Sequence, residues 1–262
     1  MDEYRYKDLF QRNIGLFTDK QQERISKLKI AIAGAGGLGG PVAYTLARLG
    51  VGEIRLIDPD KFDVSNINRQ YGAYIDTIGD YKAESICKEL GRINPFLELK
   101  FYNTYLGKDN VEEFLREADV VIDCIDFFQI EAEIILHNEA RKSNLWILTS
   151  QAAGEIQSFT NFDPSKKPLE DYLYNKDNPA ILEAIKFFFP VLPRVATPEL
   201  INDLIEGKID HVSSHATPPP IGGSIVAEQM IKILIKKEGL IFRAPDMYIF
   251  NLDTYESKLY KR

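Results

Sequence analysis

Leu28-Lys29-Ile30-Ala31-Ile32-Ala33-Gly34-Ala35-Gly36-Gly37-Leu38-Gly39-Gly40-Pro41-Val42-Ala43-Tyr44-Thr45-Leu46-Ala47-Arg48-Leu49 reads as a strand, a glycine turn and a helix in immediate succession. That order gives a G-x-G-x-x-G pattern its meaning as a phosphate-cradling turn. Gly34 permits the tight turn, Gly36 and Gly37 let backbone N–H groups approach an anion, and Gly39 lets the helix pack on the strand. An anion there meets unpaired amides and the positive end of the helix dipole.

Outward from the turn, Glu53-Ile54-Arg55-Leu56-Ile57 predicts a second strand ending at Asp58, placed to accept hydrogen bonds from ribose hydroxyls. A helix opens at Lys82 and stops near Gly91 and Asn94-Pro95. Next come a strand over 97–102, a helix over 111–117 and the apolar strand Val120-Val121-Ile122, which ends at Asp123-Cys124-Ile125-Asp126. Strands alternating with helices, with apolar central strands, predict an α/β fold: a Rossmann-like, doubly wound, mostly parallel sheet. Ligands of such sheets sit beyond the carboxyl ends of the strands, so Asp58 and Asp126 are expected to face one crevice.

Further along, 146–150 and 154–159 predict two more strands, the second antiparallel. A Pro-, Lys- and Asp-containing stretch with helical pieces comes next, and its Phe187-Phe188-Phe189 run is expected in the core. Gly222-Gly223-Ser224 leads into an apolar helix over 225–235, and 247–252 predicts a final strand. His211 and His215 share an HxxxH spacing, but the prolines after them argue against a helix, and they read as loop histidines. The expected organisation is a single domain: an N-terminal helical segment (1–27), a nucleotide-binding core (28–160), a variable substrate-recognition segment (161–220) and a C-terminal helix and strand (221–262).

Composition narrows the class. With 32 basic against 39 acidic residues, net charge −7, the chain lacks a general basic surface for nucleic acid. No apolar run reaches the roughly 18 residues of a membrane span and the start carries no signal core, so a cytoplasmic location is expected. Two cysteines, Cys87 and Cys124, provide neither a disulfide framework nor a four-thiolate zinc site, and both read as structural.

A dinucleotide enzyme needs the glycine turn and Asp58, but it has no use for the polar cluster beyond them. Asn66-Ile67-Asn68-Arg69-Gln70 and Lys82 add cations and amides suited to a triphosphate. Arg69 offers a planar clamp, Lys82 a mobile point charge, and Asn66 and Gln70 neutral hydrogen bonds. Asp126 is the natural ligand for a magnesium ion.

At these residues the sequence resembles the adenylating enzymes of the ThiF/MoeB/HesA type, which activate ubiquitin-like proteins. Matching stretches are Arg12-Asn13-Ile14, Gly34 to Gly39, Leu56-Ile57-Asp58-Pro59-Asp60, Ser65 to Gln70, Gly79-Asp80-Tyr81-Lys82-Ala83, Arg92-Ile93-Asn94-Pro95 and Val121 to Asp126. The resemblance implies binding of ATP and Mg²⁺ and transfer of AMP to a carboxylate, either a ubiquitin-like protein tail or a small-molecule acid, with release of pyrophosphate. It assigns Asp58 and Asp60 to the nucleotide side, with Asp58 at the ribose. Asn66, Arg69 and Lys82 fall at the phosphates and Asp126 at the metal. It also implies a homodimer in which Arg12 reaches the partner's ATP site.

Three departures matter. The paired CxxC motifs that hold structural zinc in many relatives are absent, residues 155–220 contain no cysteine for a thioester, and Phe127-Phe128-Gln129-Ile130-Glu131 stands where members of the resembled family often have an asparagine next to the aspartate and an arginine further on. The expectation is adenylation without an enzyme thioester. A glycine fingerprint alone also fits an NAD-linked oxidoreductase, and a non-catalytic nucleotide-binding scaffold of the same fold is the other alternative.

Overall fold

The computed structural model describes residues 4–209 and 211–262; residues 1–3, where the chain's start was read for a signal core, and Asp210 fall outside it. Eight strands form one sheet: β1 (Lys29–Ala33), β2 (Glu53–Ile57), β3 (Glu98–Tyr102), β4 (Val120–Asp123), β5 (Ile147–Ala153), β6 (Ile156–Phe162), β7 (Met247–Asn251) and β8 (Glu256–Tyr260). Their order is β3-β2-β1-β4-β5-β6-β7-β8. The first five run parallel, and β6, β7 and β8 are antiparallel to their neighbours. The predicted α/β, mostly parallel architecture is what forms, and β8 is an edge strand the sequence reading missed.

From β1 the chain builds outward through β2 and β3, then returns to place β4 and β5 on the other side of β1. The junction of β1 and β4 is therefore the topological switch point, where strand ends diverge and leave a crevice.

Helices cover both faces because alternate residues of the central strands point to opposite sides and both sets are apolar. On one face Ile30, Ile32, Ile54, Leu56 and Ile122 pack beneath α3 (Gly39–Leu49), α4 (Lys82–Ile93) and α10 (Pro218–Leu234). On the other, Ala31, Ala33, Val121 and Ile147 meet α5 (Val111–Leu115), α6 (Ile130–Lys142), α7 (Glu170–Leu173), α8 (Ala180–Phe188) and α9 (Pro198–Ile205). Phe187, Phe188 and Phe189 are buried there, as expected. The N-terminal segment supplies α1 (Tyr6–Leu9), a short 3-10 turn at Gln11–Asn13 and α2 (Asp19–Ile25), whose Thr18 caps the helix through the Gln21 N–H.

Helix α4 passes through Gly91 and stops, as expected, at Asn94-Pro95, where Pro95 holds Asn94 in extended backbone (φ −132°). One boundary corrects the sequence reading. Helix α10 begins at Pro218, seven residues before the expected 225. Its three prolines occupy the first turn, where backbone N–H groups have no helical acceptor to lose. The two glycines then serve packing rather than termination. A Cβ on Gly222 would lie 2.7 Å from Leu38 Cδ1, and one on Gly223 2.8 Å from the Pro41 carbonyl carbon, so α10 can lie directly on α3.

Candidate active site

A cleft opens at the switch point. Its floor is the turn between β1 and α3, and every parallel strand contributes from its carboxyl end. Gly34 takes φ +94°, and a Cβ there would overlap the backbone carbonyl of Cys124. Gly39 is equally constrained, because its Cβ would overlap the Gly34 carbonyl. These two glycines lock the turn onto the end of β4, while Gly36 and Gly37 face the cleft with only ordinary contacts from Gln70, Arg69 and Pro219. Among the described residues the N–H groups of Gly36, Gly37 and Leu38 have no protein acceptor, which leaves three donors at the head of α3 for an anion.

Asp58 braces this turn. Its Oδ2 accepts from the Ala35 N–H at 2.6 Å and its Oδ1 from the Asp60 N–H at 2.8 Å. Burial pushes its carboxyl upward, opposed by Lys82 and those two N–H groups. Lys82 opens α4, a position where a cation works against the helix dipole; Asp60 offsets this, with Nζ 2.9 Å from Asp60 Oδ2. The side chain of Lys82 is nearly buried whereas that of Asp60 is 58% exposed, so the ammonium points into the cleft from a sheltered base.

Arg69 reaches over Gly37. Its Nη1 donates to the Ser65 carbonyl and to Asn68 Oδ1, at 3.2 and 2.9 Å. Gln70 is buried with its Oε1 unpaired, beside Gly36. Asp126 is solvent-accessible at the cleft floor, yet it is densely surrounded by protein. That desolvation raises its pKa together with Asp58 and Asp60, while Lys82 and Arg69 pull it down.

Of the predicted residues, Gly34, Gly36, Gly37, Asp58, Asp60, Arg69, Gln70, Lys82 and Asp126 all line this one cleft. Three do not. Gly39 packs beneath the turn. Asn66 is buried, with its Oδ1 accepting from the Asp63 N–H. Arg12 stands exposed on the 3-10 turn of the N-terminal segment.

Sequence reasoning missed much of the remaining wall. Thr104, Tyr105 and Leu106 come after β3, Phe127 and Phe128 after Asp126, and Ser150 and Gln151 belong to β5. Applying the strand-end rule to β3 and β5 as well as β2 and β4 would have found Thr104 and Ser150. His211, Val212 and Ser214 line the cleft from a segment without regular secondary structure, which forms a strap along it. That strap is tied by Asn68 Nδ2 donating to the Ser214 carbonyl at 3.1 Å and by the Gly154 N–H donating to the Ser213 carbonyl at 3.2 Å. His211 and His215 lie in irregular backbone as expected, and His215 Nδ1 is 3.0 Å from Thr217 Oγ1.

Neither cysteine is poised as a nucleophile. Cys87 is buried and its thiol is pushed up to about 12. Cys124 borders the cleft rather than being fully buried, and desolvation with Asp123 and Asp126 nearby raises its thiol well above the ordinary range. Among the described residues no three His, Cys, Asp or Glu side chains gather as a metal-holding group, and no helix is long and apolar enough to cross a membrane.

The profile of the ThiF family matches residues 10–260. The chain is 36% identical over 140 residues to the tRNA threonylcarbamoyladenosine dehydratase of Haemophilus influenzae, covering 53% of each chain. It is also 36% identical over 107 residues to the sulfur carrier protein adenylyltransferase of Thermus thermophilus, covering 41% of this chain and 40% of that protein. The chain thus spans about half or less of the length of these curated relatives. E. coli MccB, solved with ATP, superposes with a TM-score of 0.74 at 20% identity, covering 97% of this chain and 70% of that one; at this identity the likeness concerns the fold.

Proposed function

The chain belongs to the ThiF family, and from that premise we propose that it is an ATP-dependent adenylyltransferase that activates a carboxylate and releases pyrophosphate. The observation that carries the reading is the convergence of Arg69, Lys82, Gln70 and Asp126 on the glycine turn. A nicotinamide dinucleotide needs the turn and an acidic ribose partner; it does not need two further cations and a carboxylate at the phosphate end. The activity for which the Thermus relative is named, adenylyl transfer to a sulfur carrier protein, agrees with this reading.

In the proposed reaction, an oxygen of the substrate carboxylate attacks the α-phosphorus of ATP. An acyl–O–P bond forms, and the bond to the departing pyrophosphate breaks. An ionised carboxylate has no proton to lose, so no general base is required. Charge accumulates on the phosphoryl oxygens and the leaving group, and Arg69, Lys82 and the free N–H groups of Gly36, Gly37 and Leu38 are disposed to offset it. Asp58 holds the ribose with its remaining lone pairs, and Gln70 has an unpaired Oε1 for a hydroxyl or a water.

The residues at the cleft floor fit a magnesium ion. Asp126 is a hard oxygen donor, accessible to solvent and crowded by Asp58 and Asp60, and magnesium requires only one or two protein carboxylates when phosphates and waters complete its shell. Bound there, it would neutralise phosphate charge. Asp126 and its neighbours Lys82 and Arg69 would fix where that charge is offset.

Residues 155–220 contain no cysteine and the Cys124 thiol is raised by burial, which supports adenylation without an enzyme thioester. Substrate choice is assigned to the far wall formed by Ser150, Gln151 and the strap. Arg12 is assigned to a second copy's cleft in a homodimer, consistent with its exposure and its distance in sequence from every residue lining this cleft.

Carboxylate-dependent exchange of labelled pyrophosphate into ATP tests the reading, using a panel of acids and candidate protein tails. Exchange lost on Lys82→Ala and on Asp126→Ala is the expected result. Normal exchange in both variants would overturn the assigned roles. Thermal protection by NAD with none from Mg·ATP would return the site to an oxidoreductase.

A further inference from the structure

Asp126 sits in the connection between β4 and α6, which the Cys124 N–H ties to the Ala33 carbonyl at 2.8 Å and which three further hydrogen bonds hold in shape. Asp123, the last residue of β4, accepts the Ile125 N–H on Oδ1 at 3.0 Å. The Ile125 carbonyl accepts from Gln151 Nε2 on β5 at 3.1 Å, and the Asp126 carbonyl accepts the Gln129 N–H at 2.7 Å as α6 begins. The remaining oxygen of Asp123, Oδ2, lies 2.9 Å from Nε2 of His137, two turns into α6. A carboxylate only accepts, so Nε2 is the donor. The pair is sealed: Asp123 is fully buried, and the His137 ring stands edge-on to Phe162 with centroids 4.6 Å apart.

His137 therefore ties the helix after the connection to the strand before it. A buried hydrogen-bonded pair of this kind adds little net stability, since desolvation of its groups offsets most of the attraction, but it specifies geometry. The geometry it specifies is the direction of the turn that carries Asp126. Partners that orient a metal-binding carboxylate from behind act through the same kind of hydrogen bond. Glu133, one turn before His137 on the same face of α6, is also sealed and has neither oxygen paired, so it supplies no competing anchor for Asp123.

We infer that His137 is a positioning residue for the Asp126 carboxylate, acting through Asp123 and the Ile125 N–H. The inference rests on the assignment of Asp126 to the metal–nucleotide complex, and the test separates the two. The measurement is the affinity for ATP with Mg²⁺ relative to that with EDTA, by equilibrium binding on the full chain. Asp126→Asn is expected to abolish the magnesium-dependent gain. His137→Leu leaves Asp123 without a partner, so the double variant Asp123→Asn/His137→Leu, whose melting is checked first, carries the comparison. It should lose about 10-fold of the gain while its metal-free ATP affinity stays at the wild-type value. His137→Gln, which can still donate to Asp123, should stay within about twofold of wild type, taking that orienting contact as conserved. Should Asp126→Asn lose the gain while the double variant keeps it, His137 has no positioning role. If Asp126→Asn keeps the gain, the assignment of Asp126 itself is wrong.

Discussion

The floor and the roof of the cleft are built by opposite means. The floor is backbone: a glycine turn fitted to the Cys124 carbonyl, hydrogen-bonded to Asp58 and seated between two buried strands. The roof is the strap carrying His211 to Ser214, irregular in backbone and tied to the body by an Asn68 side chain and a Gly154 amide. A floor whose shape is set by sterics tolerates almost no substitution, whereas a roof of irregular backbone can change residue by residue. That division suits a site whose common step is nucleotide chemistry and whose variable element is the partner acid.

The largest expected effect falls on the floor. Gly34→Ala places a Cβ against the Cys124 carbonyl at a φ that L residues rarely adopt, and should cost about 2–4 kcal/mol in urea unfolding. A cost under about 0.5 kcal/mol would mean the floor is as adaptable as the roof. Lys82→Met comes next. It should slow pyrophosphate exchange about 100-fold, equivalent to about 2.7 kcal/mol of barrier, and leave nucleotide protection of the fold largely intact. If protection vanishes together with exchange, Lys82 serves ground-state binding rather than the developing charge.

Glu133→Gln probes the buried layer behind the cleft floor. Burial, with Asp123 and Asp126 nearby, holds the Glu133 carboxyl well above its ordinary value of 4.5, so the folded chain retains a proton that the unfolded chain releases. Stability at this residue is therefore greatest below pH 4.5 and declines as pH rises from there toward the folded-state pKa. Glutamine copies the protonated form, so the variant should be about 1–2 kcal/mol more stable at neutral pH, with a flatter stability profile. An unchanged profile would show that Glu133 ionises without penalty.

The smallest effect belongs to the roof. Asn68→Ala removes one strap hydrogen bond, worth about 0.5–1.5 kcal/mol locally, together with the Oδ1 that accepts from Arg69 Nη1, and should speed proteolysis within 211–216 while Mg·ATP affinity falls by no more than about threefold. A fall in that affinity of about 100-fold or more would erase the distinction between the two regions.

The same contrast governs how much of the molecule is legible in its sequence. The β1–turn–α3 unit, both ends of β2 and the apolar β4 that leads to Asp126 were legible because short-range sterics and strand periodicity determine them. Contacts made at long range were not. The strap reaches Asn68 across 146 residues of chain, and no local pattern reports that bond. Helix α10 was misjudged for a related reason: Pro218-Pro219-Pro220 and Gly222-Gly223 carry the local signature of a break, and only their packing on Pro41, Leu38 and Gln157 makes them helical. Strand β8, with the pattern Glu256-Ser257-Lys258-Leu259-Tyr260, is mostly solvent-facing and owes its existence to pairing with β7. The Asp123–His137 pair lies 14 residues apart, and its histidine falls where helical periodicity alone predicts an ordinary core position.

Asp58 spends both carboxylate oxygens on backbone amides of the chain itself. The anion-binding loop is thereby shaped before any anion arrives, and nucleotide capture has no ordering step to wait for. Stopped-flow association should accordingly follow a single exponential whose rate rises linearly with nucleotide concentration, without the plateau that a rearranging loop imposes.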